Sequence, residues 1–373
     1  MTRPGAGRAA FVVSVAALGL AACSAGTGTG NPAATRAPRS STTTTPSSST
    51  TTTSTTTTTT TTLPPAAALH PLAVPGPLAP FDAVPAPGEG AWVAAGRNVG
   101  GLPAVYETDL VPPSGTAAAG IAWMDTRLLS ARLYSGSKSP GGGPYLFTAP
   151  VLPAQAATLV AGFNGGFLMK DARGGYYTEG RTVDPLVPGS ASLVIAADGS
   201  VTVGAWGSDV AMTPNVAAVR QNLVLLVAAG QPTEAAANPE WQTWGNTCAA
   251  TTCSAAAPGI EYQWRSGVGV TADGALVYVA GPSLDPLQLA QLLARAGVVR
   301  GMELDINPDW VNYSLYRAAP GRPINPSIPS ESATLLGGMS GGPSRFFQSW
   351  WVRDFYTMSV RRAPAAHPVA ALP

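Results

Sequence analysis

Histidine is nearly missing from this 373-residue chain, which has only His70 and His367. A Ser-His-Asp triad, a Cys-His pair and a histidine-based zinc site are therefore excluded from everything between them. Lysine is as scarce, with only Lys138 and Lys170. No acidic residue precedes Asp82, and from there on 17 basic residues stand against 20 acidic ones, a net of −3. Without a basic block there is no electrostatic footprint for nucleic acid, and none is expected as a partner. Any catalysis must come from carboxylates, arginines, hydroxyls and backbone amides.

The first 23 residues read as an export signal. Arg3 and Arg8 supply the positive start, and Ala9–Ala22 is uninterruptedly apolar or small. Fourteen residues span about 21 Å as a helix, short of a bilayer core of roughly 30 Å, so a signal-peptide core fits better than a permanent span. Leu20-Ala21-Ala22-Cys23 resembles a bacterial lipobox, which implies lipidation of Cys23 and attachment to the outer face of the cell membrane. Outside the cytosol Cys248 and Cys253, separated by four residues, are expected to form a local disulfide. A zinc site there lacks a nearby histidine.

Residues 24–86 have little with which to build a core. Positions 41–62 are Thr and Ser apart from Pro46, and a Pro/Ala-rich stretch follows. Such a segment cannot offset its ordering entropy and reads as a disordered tether with hydroxyls open to glycosylation. The folded domain is expected over 87–363, with 364–373 as a tail. The Ala/Gly/Pro-heavy usage suggests a GC-rich, actinobacterial genome.

The domain pattern predicts an α+β fold, a mixed, strand-dominated sheet with few helices. Strands are expected at 106–110, 120–124 and 128–134. Hairpins are expected around Asp198-Gly199 and Asp273-Gly274, dipeptides suited to the positive φ of tight turns. A short helix is expected at 153–159, and 215–228 is open between helix and strand. The clearest helix is 286–296: Asp285 can cap it, Pro286 suits its first turn, and Gly297 stops it. Leu289, Leu292, Leu293 and Ala296 give it one apolar face. A strand follows over 298–305.

Four segments carry candidate chemistry. Asn164-Gly165-Gly166-Phe167 either ends a strand in a plain turn or offers an amide nest for an anion. Glu179 and Arg181, two apart in an expected strand, share a face and either pair or meet a ligand. Arg265 opens the second hairpin, as a phosphate fork or a structural ion pair. Asp305, Asn307 and Asp309 follow the last strand and could face one solvent cavity. No cofactor is expected. The alternative is a divalent cation held by Asp305, Asn307 and Asp309, although this segment lacks the length and glycine of an EF-hand loop.

Together the four segments resemble the phosphodiester glycosidase family. Its Asn-Gly-Gly-Phe-Phe-like motif is matched by Asn164-Gly165-Gly166-Phe167-Leu168, its arginine before a strand–Asp-Gly–strand hairpin by Arg265 and 267–279, and its Leu/Ala-rich helix by 284–296. The family's Leu-Asp-Gly-Gly-Gly-Ser is kept only as Leu304-Asp305. Ile306-Asn307-Pro308-Asp309 replaces the glycines, and Pro308 removes an amide donor. The resemblance implies the family fold and an envelope hydrolase that releases a sugar from a sugar-phosphate diester. Asp305 would be the leading carboxylate, with Glu179 or Asp309 as the second. Arg265 and Arg181 would hold phosphate, and Asn164, Gly165, Gly166 and Asn307 would orient oxygens. The competing expectation is a non-catalytic glycan-binding or scaffold lipoprotein on the same fold. Trp241, Trp244, Trp264, Trp310, Trp350 and Trp351 would then be candidate sugar platforms.

Overall fold

Successive side chains of an extended strand point to opposite faces, so a strand apolar on both must lie between two cores. In Ala119–Met124, Ile121 and Trp123 enter one core, Ala122 and Met124 the other. Leu276–Leu284 repeats the arrangement, with Val277 and Val279 opposite Leu276, Tyr278 and Ala280. These two strands are neighbours in the middle of an eight-stranded sheet. The computed structural model describes residues 70–237, 244, 263–319 and 321–361. The expected signal segment, Cys23, most of the tether, Cys248, Cys253, Trp241 and the tail lie outside these residues.

The large sheet runs Val93–Val99, Leu102–Leu110, Ala119–Met124, Leu276–Leu284, Gln263–Thr271, Val298–Glu303, Leu225–Ala228, Gln231–Pro232. Helix Pro286–Arg295 covers one face through Leu289, Leu292 and Leu293. Asp285 Oδ1 accepts the Gln288 amide at 2.6 Å, Gln288 Oε1 accepts the Asp285 amide at 3.1 Å, and Pro286 occupies the first turn. Gly297, at φ +84°, follows the last turn.

The opposite face meets two five-stranded sheets. One runs Arg181–Asp184, Tyr176–Thr178, Val216–Gln221, Ala191–Ala196, Val201–Ala205. The other runs Ser332–Thr334, Tyr313–Tyr316, Leu159–Asn164, Phe355–Val360, Leu129–Tyr134. All pairings between these strands are antiparallel. Met302 and Tyr278 from the large sheet, Leu193 and Tyr176 from the second, and Phe163 and Tyr356 from the third share one core. The fold is thus α+β and strand-dominated, as the pattern predicts.

Three expectations change. Residues 215–228 form two strands rather than one element, parted at Leu223, whose φ is +55°. The 153–159 helix is only Pro153–Ala156, because Leu159 already starts a buried strand. The domain also begins well before residue 87. Leu72 is buried, with its amide on Asp125 Oδ2 at 2.8 Å, and the Leu78 amide reaches Gly90 O at 2.9 Å. Trp92 Nε1 donates to Gly76 O at 2.8 Å, and the Arg295 guanidinium stacks on Phe81 at 4.0 Å. Leu72, Leu78 and Phe81 give this proline-rich stretch the apolar anchors that the threonine tract lacks.

The reciprocal cap fixes the start of the helix that backs the large sheet. Asp285→Ala should lower stability by about 1 kcal/mol in urea unfolding. An unchanged midpoint would show that packing alone holds the helix end.

Candidate functional site

The Leu159–Asn164 strand ends where all three sheets come together. Asn164 Nδ2 donates to Ser266 Oγ at 3.0 Å and to Gly165 O at 2.8 Å. Its Oδ1 accepts from the Tyr278 hydroxyl at 2.9 Å and the Asn312 amide at 3.1 Å. Ser266 Oγ in turn donates to Asp305 O at 3.0 Å and accepts the Asp305 amide at 3.1 Å. One hydroxyl therefore ties Asn164 to the turn that carries Asp305. All three residues are buried.

Gly165 and Gly166 make room for buried neighbours. A Cβ on Gly165 would stand 2.1 Å from Asp354 Oδ2, and one on Gly166 2.8 Å from Asn222 Oδ1. The Gly165 amide is already taken by Asp354 O at 3.0 Å, and the Phe167 amide by Asn222 Oδ1 at 3.1 Å. Asn222 Nδ2 bridges to the carbonyls of Glu303 and Leu304, each at 3.0 Å. The carbonyls of this motif face cations: Gly166 O accepts from Arg353 Nη2 at 2.8 Å, and Phe167 O from Arg220 Nη2.

Three buried ion pairs surround this point. Arg220 Nε meets Asp354 Oδ2 at 2.9 Å, Arg265 Nη1 meets Glu303 Oε1 at 2.7 Å, and Arg353 Nη2 meets Asp305 Oδ2 at 2.6 Å. The first two pairs are sealed, with side-chain exposures of 0%. Only the third retains a solvent-facing edge, 8% for Arg353 and 5% for Asp305. Burial pushes the Glu303 carboxyl up to about 7, against the pull of Arg265 and with the neighbouring Asp305 charge adding to the rise. Burial also raises Asp305, opposed by Arg353 and the Asn307 and Ile306 amides and reinforced by the Asp354 charge. Glu303 Oε2 and Asp354 Oδ1 are buried without a hydrogen-bond partner.

The other expected residues are placed differently. Arg265 lies on the helix side of the large sheet, with Nε on Leu284 O at 2.8 Å and Nη1 also reaching Trp244 O at 3.2 Å. It is adjacent to Ser266 in sequence, but strand alternation sends the two side chains to opposite faces, so Arg265 does not present a phosphate fork. Glu179 and Arg181 do not share a strand face, because Glu179 (φ +51°) and Gly180 (φ +76°) form the turn between two strands. Glu179 accepts the amides of Leu146 and Phe147 at 3.0 Å, while Arg181 donates to Gly142 O and Pro144 O and stacks on Tyr145. Together they clamp the 141–147 loop. Glu179 also borders a cavity of about 360 Å³ whose lining includes none of Asn164, Ser266, Asp305 or Arg353.

Asp305 ends no strand. Val298–Glu303 stops two residues earlier, and Asp305 Oδ1 accepts the Asn307 amide at 2.9 Å. Asn307 Oδ1 repeats this turn with the Asp309 amide at 2.9 Å, so Asn307 is spent on the loop, and both Asn307 and Asp309 are exposed. Among the described residues no three His, Cys, Asp or Glu side chains are grouped to hold a metal ion. Asp305 is already engaged by Arg353 and by its own turn.

Sequence reasoning missed Arg220, Asn222, Ser266, Arg353 and Asp354. Their available signal was polarity at the ends of apolar runs: Arg220-Gln221-Asn222 after 216–219, and Arg353-Asp354 just before Phe355.

No family model matches this chain, and no curated protein matches it. Among solved structures it is similar to the catalytic domain of zebrafish N-acetylglucosamine-1-phosphodiester alpha-N-acetylglucosaminidase, auto-inhibited by pro-peptide. Identity is 16% and the TM-score 0.42, over 73% of this chain and 88% of that one. A Synechocystis protein described only as hypothetical is 12% identical with a TM-score of 0.35, over 69% of this chain and 62% of that one. Both likenesses are distant.

Gly165→Ala should destabilise the protein by about 3 kcal/mol or more, because the new methyl overlaps the buried Asp354 carboxylate. A thermal midpoint within a degree of wild type would contradict this packing. Glu303 holds its proton more tightly folded than unfolded, so its contribution to stability is full below 4.5, declines as pH rises to about 7, and is level above. Glu107, also raised by burial to about 7, acts in the same direction. Urea midpoints should therefore fall between pH 4.5 and 7. A flat or rising profile would contradict the burial of these carboxyls.

Proposed function

We propose that the Arg353–Asp305 pair is the reaction centre of an envelope hydrolase that releases a sugar from a sugar-phosphate diester. The reading is supported above all by one observation: of three ion pairs around the Asn164 knot, only this one reaches solvent. A carboxyl raised by burial holds a proton at higher pH than an ordinary aspartate, which suits general-acid work. Asp305 would donate that proton to the departing phosphate oxygen as the bond between this oxygen and the anomeric carbon breaks. Water then adds to the anomeric carbon and releases its proton, leaving a free sugar and a phosphate monoester. Arg353 would steady the carboxylate left on Asp305, and Asn164 and Ser266 would hold the turn in register.

In this reading Glu179, Arg181 and Arg265 are structural. Asp309, exposed on the same turn as Asp305, is the remaining candidate for the second carboxylate. Lipidation at Cys23 would confine the substrate to glycans or sugar phosphates within reach of the tether. A non-catalytic glycan-binding role has its own supporting observation, since Asp305 and Arg353 are largely engaged with each other.

The test is sugar release from sugar-1-phosphodiester compounds by the soluble protein. Wild type should turn over, and Asp305→Asn, assayed at a temperature where circular dichroism shows it folded, should lose activity by about 100-fold or more, its thermal midpoint falling because Arg353 loses its counter-charge. Turnover by Asp305→Asn at the wild-type rate would remove Asp305 from catalysis. Saturable glycan binding without turnover in wild type would favour the binding role.

A further inference from the structure

Beside the Arg353–Asp305 pair lie Arg345 and a group of indoles that the proposed chemistry leaves unused. Arg345 is 5% exposed, and its guanidinium carbon lies 5.5 Å from the Trp310 ring centre and 4.5 Å from that of Trp351. Arg353 approaches the same Trp310 ring at 4.9 Å. Trp310 and Trp351 meet edge to face at 5.0 Å, and Trp350, 57% exposed, lies 6.1 Å from Trp351. Two arginines therefore converge on one indole, Trp310, which is joined through Trp351 to the exposed Trp350.

The hydrogen-bond inventory is lopsided. Arg345 Nε, Arg353 Nε and Trp351 Nε1 are all buried and have no acceptor. Arg345 Nη1 donates to Ser340 O at 2.7 Å, and Arg345 forms no ion pair among the described residues. Burial pushes it down to about 10, while Asp309 pulls it the other way. A buried guanidinium whose nearest counter-charge, Asp309, makes no direct ion pair with it is costly, and unpartnered donors add to the cost. These three N–H groups, on side chains that meet around Trp310 and Trp351, lack acceptors that an anion would supply, although Asp305 already pairs with Arg353 and Asp309 acts on Arg345 from a distance. A phosphate supplies such acceptors, and arginine recognises it through parallel N–H donors. The rings flanking these donors suit a ligand with a hydrophobic sugar face attached to that phosphate.

We propose that Arg345 and Arg353, converging on Trp310, bind the phosphate of an anionic glycoside, and that the exposed Trp350 stacks on its sugar ring. The assignment rests on the Arg353–Asp305 reading only for its place in the reaction, since binding is measured without turnover. It gives Arg345 the phosphate-holding role that the sequence suggested for Arg265 and Arg181. The donors are buried in this structure, so neighbouring side chains must shift for phosphate to reach them.

Tryptophan fluorescence of the soluble protein, titrated with inorganic phosphate, a methyl sugar-1-phosphodiester and the neutral methyl glycoside, tests this directly. The diester should bind most tightly, phosphate more weakly and the glycoside weakest. Arg345→Gln should weaken the two phosphate ligands by about tenfold or more and leave the glycoside within twofold. Trp350→Ala should weaken both sugar ligands and leave inorganic phosphate unchanged. Arg345→Lys should restore part of the phosphate affinity, having the charge but not the fork. If Arg345→Gln does not fold, wild type still decides: raising salt from about 50 to about 500 mM should weaken the diester but not the glycoside. Absence of a saturable response to both phosphate ligands, or diester binding by Arg345→Gln within twofold of wild type, would overturn the proposal. Turnover by Arg345→Gln at unchanged KM would overturn it while leaving Asp305 as catalyst. Arg345-dependent binding without turnover would do the reverse.

Discussion

Buried charge is the constraint on which the rest of this molecule depends. Arg220, Arg265, Arg353, Glu303, Asp305 and Asp354 are all buried, Arg353 and Asp305 keeping only a narrow solvent-facing edge, and each unpaired member would cost several kcal/mol. Pairing them dictates where chain segments must end. Arg220 comes from one five-stranded sheet and Asp354 from the entry to the last strand of the other. Arg265 and Glu303 lie on neighbouring strands of the large sheet, and Asp305 follows Glu303 in the next turn. The three sheets are thus pinned at one place by charge, with the neutral Asn164–Ser266 link at its centre.

This arrangement also explains why the glycines after Asn164 are needed. They let Asp354, Asn222 and Arg220 close against the backbone, and the carbonyls of Gly166 and of the following Phe167 each accept from an arginine. The knot is rigid behind and open by a narrow edge in front, where Arg353 and Asp305 meet solvent. In the proposed reaction a raised carboxyl on this support passes its proton to the leaving oxygen. The neighbouring indoles and Arg345 supply surface suited to a sugar carrying negative charge.

Much of the fold was legible because its signals are local. Asp285, Pro286 and Gly297 bracket the helix, and Asp198-Gly199 and Asp273-Gly274 mark turns in which Gly199 and Gly274 take positive φ. The importance of Asn164 and Asp305 was legible too, but their connection through Ser266 was not, since it joins residues 102 and 39 positions apart. Arg265 misled because sequence shows a charge near a hairpin without showing which sheet face it occupies. Glu179 misled because a positive φ at a non-glycine residue turned an expected strand into a hairpin end. Arg220 and Arg353 carry no local motif that marks them in the sequence. Only the tertiary pairing with Asp354 and Asp305 gives them meaning.

The central claim is that Asp305 acts as a proton donor at the solvent-facing pair. The pH dependence of kcat for a sugar-1-phosphodiester tests it most directly. Turnover should fall as pH rises, with a midpoint above the ordinary aspartate value of 3.8. A rate that stays level or climbs through that range would contradict a donor role for Asp305.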